Sequence, residues 1–340
     1  MDKYFVTGGS GFLGSYVIEN LSKKGIDFIN YDKIKPNKYS ENFIEGDIRD
    51  YEKIRLSLKG CNKIIHSAAS LPLNKKDFRS INVSGTKNLV KAANLNNISH
   101  FTFISSSSIF GTKNKEIISE DSKPKPVEAY GRSKYDAEKV IEKQLNKDIS
   151  RNFIRSRTIV GKNRLGIFDM LFNFSSNGIP VFLIGNGKNT IQLIDVEEIS
   201  EVIVRLTNEN ISGYFNLGNN DNTNIGKTFE NFIDNISSNS KIVKLPVLPS
   251  VSILFLLDVM KLSPFGPWHY KSFHKSCFFE SSKAYDLIGF TPKKNNEKIL
   301  LDSFKHYTLN TDSLVNSSST HKNKLDLKIF KVLNFIFGRS

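Results

Sequence analysis

The 340-residue sequence predicts an α/β fold: a doubly wound parallel sheet followed by a smaller C-terminal lobe. Three observations predict it. Strand-like and helix-like stretches alternate over residues 1–160, and such alternation implies parallel pairing with helices on both faces. The first strand runs into Thr7-Gly8-Gly9-Ser10-Gly11-Phe12-Leu13-Gly14, three glycines at spacing three ahead of a helical pattern. Asp32 then closes the second strand. Strand, glycine turn, helix and acidic residue in this order describe a Rossmann-type nucleotide-binding unit.

Tyr4, Phe5 and Val6 form the apolar centre of the first strand, near 3–7. Gly8 permits the tight turn out of it, Gly11 lets backbone approach a pyrophosphate, and Gly14 lets the helix pack close to the sheet. The next helix, 12–24, offers phosphate the free N–H groups of its first turn, at Phe12 and Leu13. Residues 26–31 form the second strand, and the Asp32 carboxylate can accept hydrogen bonds from adenosine ribose hydroxyls and repel a 2′-phosphate. NAD is therefore favoured over NADP, with Lys33 and Lys35 acting against that repulsion. Further strands fall near 42–45, 62–66, 100–105 and 152–157, and helices near 50–58, 80–96 and 128–146.

Beyond residue 160 the pattern loosens to a helix at 165–176 and a strand region at 184–194 with a Gly-Asn-Gly turn. A helix begins at Asp195, and over 195–208 it returns to the nucleotide-binding domain. The division is thus 1–160 for that domain, 161–194 and 209–308 for a substrate lobe ending in a helix near 295–308, a polar linker at 309–321, and a tail at 322–340. In the tail Leu325, Ile329, Val332, Leu333, Ile336 and Phe337 share one helical face, opposite Lys328, Lys331 and Asn334. Such a segment lies in a membrane interface or docks on the protein or on a second subunit.

Apolar residues make up 39% of the chain, enough for a sizeable core, and the two cysteines, Cys61 and Cys277, exclude a disulfide framework. The reading is a cytoplasmic protein with no signal peptide, peripheral at the inner face of the membrane if the tail binds lipid. No run of 18 apolar residues occurs; 245–260 comes nearest, interrupted by Pro246, Pro249 and Asp258. The net charge of +14 favours polyanions, anionic lipid or phosphorylated substrates. No nucleic-acid signature or zinc-ligand spacing accompanies it, so neither a nucleic-acid partner nor a metal site is expected.

The chemistry concentrates in Tyr130-Gly131-Arg132-Ser133-Lys134. Tyr and Lys at i and i+4 share a helix face. A phenol with a reference pKa of about 10 is a poor base at neutral pH, and lowering it by about 3 units takes roughly 4 kcal/mol. The Lys134 ammonium and a positively charged nicotinamide ring are the cations expected to supply that. Upstream, Phe103 to Gly111 ends a strand in a run of serines, placed to face the ligand crevice at the carboxyl end of a parallel strand.

These motifs together resemble the extended short-chain dehydrogenase/reductases of the NAD-dependent sugar epimerase/dehydratase group, which includes UDP-galactose 4-epimerase. Thr7–Gly14 matches the T-G-x-x-G-x-x-G of that family. Gly46-Asp47-Ile48-Arg49-Asp50 resembles its G-D-I/L-x-D turn, which implies adenine contacts for Asp47 and Ile48. His66-Ser67-Ala68-Ala69 resembles H-x-A-A beside the cofactor, and Asn82-Val83-Ser84-Gly85-Thr86 resembles N-V-x-G-T, implying cofactor contacts at Ala68, Ala69 and Asn82. S-S-S-S-I-F-G places the family's catalytic Ser/Thr at Ser106, an auxiliary substrate contact at Ser108, and the catalytic pair at Tyr130 and Lys134. The resemblance covers about 1–310, dense to 160 and thinner beyond, and it implies a homodimer built on the helices near 80–96 and 128–146.

Departures bear on the substrate. Ser107 and Ser108 replace the Asp and Glu of the dehydratases, which argues against water elimination. Thr158 replaces a substrate-touching Asn, and Ile191-Gln192 stands where the family has Arg-Asp, so the arginine that grips a nucleotide pyrophosphate is missing. Arg157, Lys162 and Arg164, or the cluster His269, Lys271, His274 and Lys275, can replace it; Arg157 and Arg164 are the substrate-binding candidates. The leading expectation is NAD-dependent epimerisation, at C4, of a nucleotide-linked or polyprenyl-pyrophosphate-linked sugar, as in polysaccharide biosynthesis. The alternatives are an NAD(P)H-dependent 4-keto-sugar reductase or a sterol-like alcohol dehydrogenase. A non-catalytic nucleotide-binding regulatory protein is a third, opposed by the intact Ser106, Tyr130 and Lys134 set.

Overall fold

Seven parallel strands form the central sheet, in the order Gly213–Leu217, Ser150–Ser156, His100–Ile104, Lys63–His66, Lys3–Thr7, Asp27–Asp32 and Phe43–Glu45. The structure is a computed structural model, and it describes residues 2–71, 77–112, 116–164, 167–260 and 267–309. Every residue of His100–Ile104 and of Lys63–His66 is buried, as a parallel sheet covered on both faces requires. The sheet's winding reverses at Lys3–Thr7, whose last residue pairs with Tyr31 on one side and His66 on the other. Ligand crevices in open parallel sheets lie outside the carboxyl ends of the strands at such a reversal.

Two hydrophobic clusters cover the faces. Helices Phe12–Lys23, Val196–Asn208 and Ser282–Ile288 pack on one, through residues such as Val17, Ile203, Leu206 and Ala284. Helices Tyr51–Ser57, Gly85–Ala93 and Ala129–Gln144 cover the other, through Ile54, Leu89 and Ile141. Each Val, Leu or Ile side chain among them, fully buried, contributes about 1.5–3 kcal/mol. Helix starts are set by caps: Asp50 accepts from Lys53 N, and Asp195 accepts from Glu197 N and Glu198 N.

The structure corrects three expectations. Residues 209–308 are not all substrate lobe: Gly213–Leu217 is an edge strand of the main sheet, with Phe215 and Leu217 fully buried, and Ser282–Ile288 packs on the first cluster. The expected 80–96 helix begins with a wider π-helical stretch, Arg79–Ser84, inside which the Asn82 side chain is buried. The expected strand region 184–194 is two strands, Val181–Ile184 and Leu193–Asp195, separated by a turn with positive φ at Gly185 and Gly187.

The second lobe is built on three short parallel pairs: Val181–Ile184 with Ile242–Leu245, Thr158–Val160 with Leu193–Asp195, and Glu116–Ile118 with Cys277–Phe279. Its core gathers Phe168, Phe172, Phe232 and Ile299. Leu309 ends the Asn296–Leu309 helix; the rest of the expected linker and the 322–340 tail lie outside the described residues.

His66 and His100 are fully buried, and burial pushes them down to about 3 and about 4. Both stay neutral in the fold but protonate near 6.5 in the unfolded chain. Below that pH the folded state binds fewer protons, so stability is full above pH 6.5 and is lost as pH falls toward 4. Urea midpoints are expected to fall over this window, with each histidine contributing about 1.4 kcal/mol per pH unit. A His100→Gln protein whose pH slope equals that of the wild type contradicts this.

Candidate active site

The site begins at backbone. Gly8 has φ +72°, and a Cβ there would lie 2.6 Å from the Ala68 nitrogen. A Cβ at Gly14 would run into the Gly8 carbonyl. Strand end, helix start and the 67–69 turn therefore meet at a distance only glycine allows. The Phe12–Lys23 helix starts with no side-chain cap and no acidic residue in its first turn, which leaves its N–H groups and partial positive charge available to an anion.

Gly8, Gly11, Phe12 and Leu13 line one end of a cavity of about 820 Å³. Asp32 lines it too, holding the loop through bonds from Ser10 N (3.0 Å) and Ile34 N (3.2 Å). Asp47, Ile48, Ala68 and Ala69 continue the wall. Arg49 and Lys33 pair with Asp47, at 2.6 and 3.2 Å, and hold its carboxyl well below the usual range. Lys33 is thereby engaged by Asp47, not free to offset Asp32.

Two of the sequence-predicted cofactor residues do not line the cavity. Gly14 acts by close packing behind the loop. Asn82 has its amide fully engaged: Oδ1 accepts from Ser70 N (2.7 Å), and Nδ2 donates to Ser70 O (3.2 Å) and Ser133 Oγ (2.9 Å). It holds in place the loop that lines the site, and has no donor left for a ligand.

The Ala129–Gln144 helix is started by Glu128, whose carboxylate accepts from Tyr130 N (2.8 Å) and Gly131 N (2.6 Å). A Cβ on Gly131 would sit 2.5 Å from the Ser108 carbonyl oxygen, so the helix presses directly on the serine turn. Ser106 Oγ accepts from Ser108 N (3.2 Å) and Ser108 Oγ (3.0 Å), and the Ser106 side chain hydrogen-bonds Tyr130. Ser106, Ser108, Tyr130 and Lys134 all line the cavity.

Lys134 is 2% exposed, with Nζ 4.5 Å from the Phe103 ring centroid. Burial pushes its ammonium down to about 7, against the pull of Glu138. Glu138 is itself buried and gripped by Arg155 through Nε (3.1 Å) and Nη2 (2.8 Å). Tyr130 departs from expectation: burial pushes the phenol up to about 12, with Ser106 and Arg164 opposing. In the protein alone desolvation wins, and Lys134, driven toward the neutral amine, does not reverse it. A positively charged ring bound beside Tyr130 would supply the cation needed to complete the shift.

Arg157 and Arg164 also line the cavity. Arg157 packs against Phe279, with Nη1 3.5 Å from Cys277 Sγ. Arg164 lies near the rings of Phe12 (5.4 Å) and Phe168 (5.8 Å), and burial lowers it to about 9, still cationic at neutral pH. The Nε of each is without a partner among the described residues. Lys162 instead pairs with Glu197 at 3.0 Å, and Lys275 donates to Thr112. Of the cluster at 269–275 only His269 lines the cavity. Gln192 clamps Asn219 O (2.7 Å) and Phe279 N (2.8 Å), a structural task. Glu138 was missed in the sequence, although Tyr130, Lys134 and Glu138 continue one face at spacing four.

Residues 4–218 match the family described as NAD dependent epimerase/dehydratase family. The chain is 27% identical over 337 residues to the uncharacterized protein y4nG of Sinorhizobium fredii, covering 97% of this chain and 85% of that one. It is 28% identical over 223 residues to N-acetyl-alpha-D-glucosaminyl-diphospho-ditrans,octacis-undecaprenol 4-epimerase of Escherichia coli O157:H7. That match covers 63% of this chain and 65% of the relative, so the chain spans just under two thirds of the epimerase. Among solved structures, MoeE5 in complex with UDP-glucose and NAD superposes with a TM-score of 0.74 at 19% identity, covering 91% of this chain and all of that one. At that identity the likeness concerns the fold. NAD fits the residues present: an uncapped helix start beside the glycine turn suits a pyrophosphate, and Asp32 suits the ribose diol.

Lys134 ionises at about 7 in the fold and near 10.5 unfolded. Between those values stability rises with pH, and below pH 7 the full penalty of the buried cation applies. Lys134→Met is expected to raise stability at pH 7 by about 1–3 kcal/mol, to flatten the pH 7–10.5 slope, and to abolish activity. Calorimetry across that range checks it. Gly131→Ala should keep the fold yet lower turnover by about 10²-fold, because it displaces Tyr130 from Ser106; steady-state kinetics measure this.

Proposed function

Because the chain belongs to the NAD-dependent epimerase/dehydratase family, we propose that it inverts C4 of a sugar carried on a pyrophosphate, the carrier being a nucleotide or a polyprenyl lipid. One observation carries the reading: Ser106, Tyr130 and Lys134 meet in the same cavity as two guanidiniums whose Nε atoms have no partner among the described residues, and no acid follows Ser106.

Bound NAD supplies a reversible hydride acceptor for the sugar carbon. Ser106 holds the sugar oxygen at hydrogen-bond distance from Tyr130, which takes the hydroxyl proton as general base and later returns it as general acid. Lys134, one helical turn away, keeps a proton near neutral pH available beside Tyr130. Arg157 and Arg164 neutralise the pyrophosphate in a partly buried setting, where charge-assisted hydrogen bonds are strong. Serines at 107 and 108 leave no carboxyl group to expel water from the sugar, which favours inversion over dehydration. The undecaprenol-linked substrate named for the Escherichia coli relative supports a lipid carrier.

The test is a panel of UDP-sugars and polyprenyl-pyrophosphate sugars, analysed for C4 epimers without added coenzyme. The wild type should convert one of them with no net NADH consumption, and Tyr130→Phe should lower turnover by about 10³-fold or more. Stoichiometric NADH consumption, or near-wild-type turnover of Tyr130→Phe, overturns the reading.

A further inference from the structure

The helix Val247–Val259 carries no buried residue, although its sequence, VLPSVSILFLLDV, is almost wholly apolar. Leu248 is 82% exposed, and Ile253, Phe255, Leu256, Val259 and Met260 are each more than half exposed. A helix that is apolar all round belongs in a core or in lipid; among the described residues this one is half-covered on the face of Val247, Val251 and Leu254 and open on the rest. Two of its three polar side chains meet local partners: Ser250 Oγ donates to Pro246 O (2.7 Å), and Asp258 meets the Tyr270 hydroxyl (3.4 Å).

The surrounding charge is one-sided. Residues 241–275 contain five lysines, two histidines and a single acid, Asp258. Lys241 and Lys244 are exposed just before the helix, and Lys271 is exposed on the next helix, Pro267–Ser272. A self-complementary dimer face would set these cations against their own copies. An anionic bilayer complements them, with about 1 kcal/mol for each lysine near its surface. At 13 residues the helix spans roughly 20 Å, too short to cross a hydrocarbon core of about 30 Å.

We propose that Val247–Val259 docks in the plane of an anionic phospholipid bilayer, its apolar side chains below the headgroups and the flanking lysines among them. The docking sets the cavity close to the lipid: the next helix, Pro267–Ser272, contributes His269 to the cavity wall and is joined to the docking helix through Tyr270 and Asp258. Docking does not depend on the assignment of the sugar. An enzyme that binds vesicles but converts only nucleotide sugars keeps this inference and removes the lipid carrier from the previous one.

The test is flotation of the full-length protein, purified with its cofactor, on phosphatidylcholine vesicles with and without phosphatidylglycerol. The wild type should bind the anionic vesicles at least about tenfold more strongly than the neutral ones, and more weakly as salt rises. Ile253→Ser, Phe255→Ser and Leu256→Ser combined should lower binding at least about tenfold while circular dichroism and cofactor retention stay unchanged. The three substitutions should cause the same loss when made in a protein lacking 322–340, which separates the helix from the tail. Equal binding by the triple variant overturns the proposal. So does a wild type that ignores anionic vesicles but loses self-association when the three residues are changed.

Discussion

Thr7, the last residue of the first strand, accepts a hydrogen bond from Ala68 N (3.3 Å) and meets His66 Nδ1 (2.7 Å). The other ring nitrogen meets Thr86 Oγ1 (2.9 Å), whose proton goes to Asn82 O (2.6 Å). That donation fixes the tautomer: His66 carries its proton on Nε2, and Thr7 donates to Nδ1. Asn82 then donates to Ser133 Oγ, and Ser133 to the carbonyl of Tyr130 (2.7 Å). The chain of bonds runs in one direction from the glycine turn to the Ala129–Gln144 helix, and each link leaves its neighbour satisfied. Losing one partner would leave a buried polar group unpaired, at about 1–3 kcal/mol, and would loosen both ends of the cavity together.

Against this rigid polar spine the cavity is electrostatically unbalanced. Lys134 leans on Glu138, but Glu138 is already held bidentately by Arg155, which stacks on Tyr214 at 3.9 Å. The carboxylate is shared between two cations. Among the described residues, Arg157 and Arg164 keep an unpartnered Nε apiece. Half-buried cations that the protein under-compensates favour an anionic ligand, because the ligand supplies the missing charge and displaces little ordered protein.

What the sequence revealed follows from how local each feature is. The glycine turn, Asp32 and the Tyr130–Lys134 pair are encoded within one turn or one strand, so spacing alone exposes them. Asn82 was legible as a position but not as a role, because its partners, Ser70 and Ser133, lie on separate elements. The second lobe was least legible. Its pairs join segments far apart, as when Glu116–Ile118 meets Cys277–Phe279, and three-residue strands carry no usable period. The edge strand Gly213–Leu217 follows the helix that returns to the nucleotide-binding domain, but five residues carry no mark of which lobe they join; the pairing with Ser150–Ser156 decides it.

That edge strand also bears on how such a protein can change. The chain leaves the nucleotide-binding sheet after residue 156, returns for Val196–Leu217, leaves again, and returns once more at Ser282–Ile288. No single crossover in a gene can exchange one lobe and keep the other whole. New substrate preferences in a chain threaded this way arise by point changes and loop insertions between the returns, and a laboratory chimera needs matched junctions on both sides of each return.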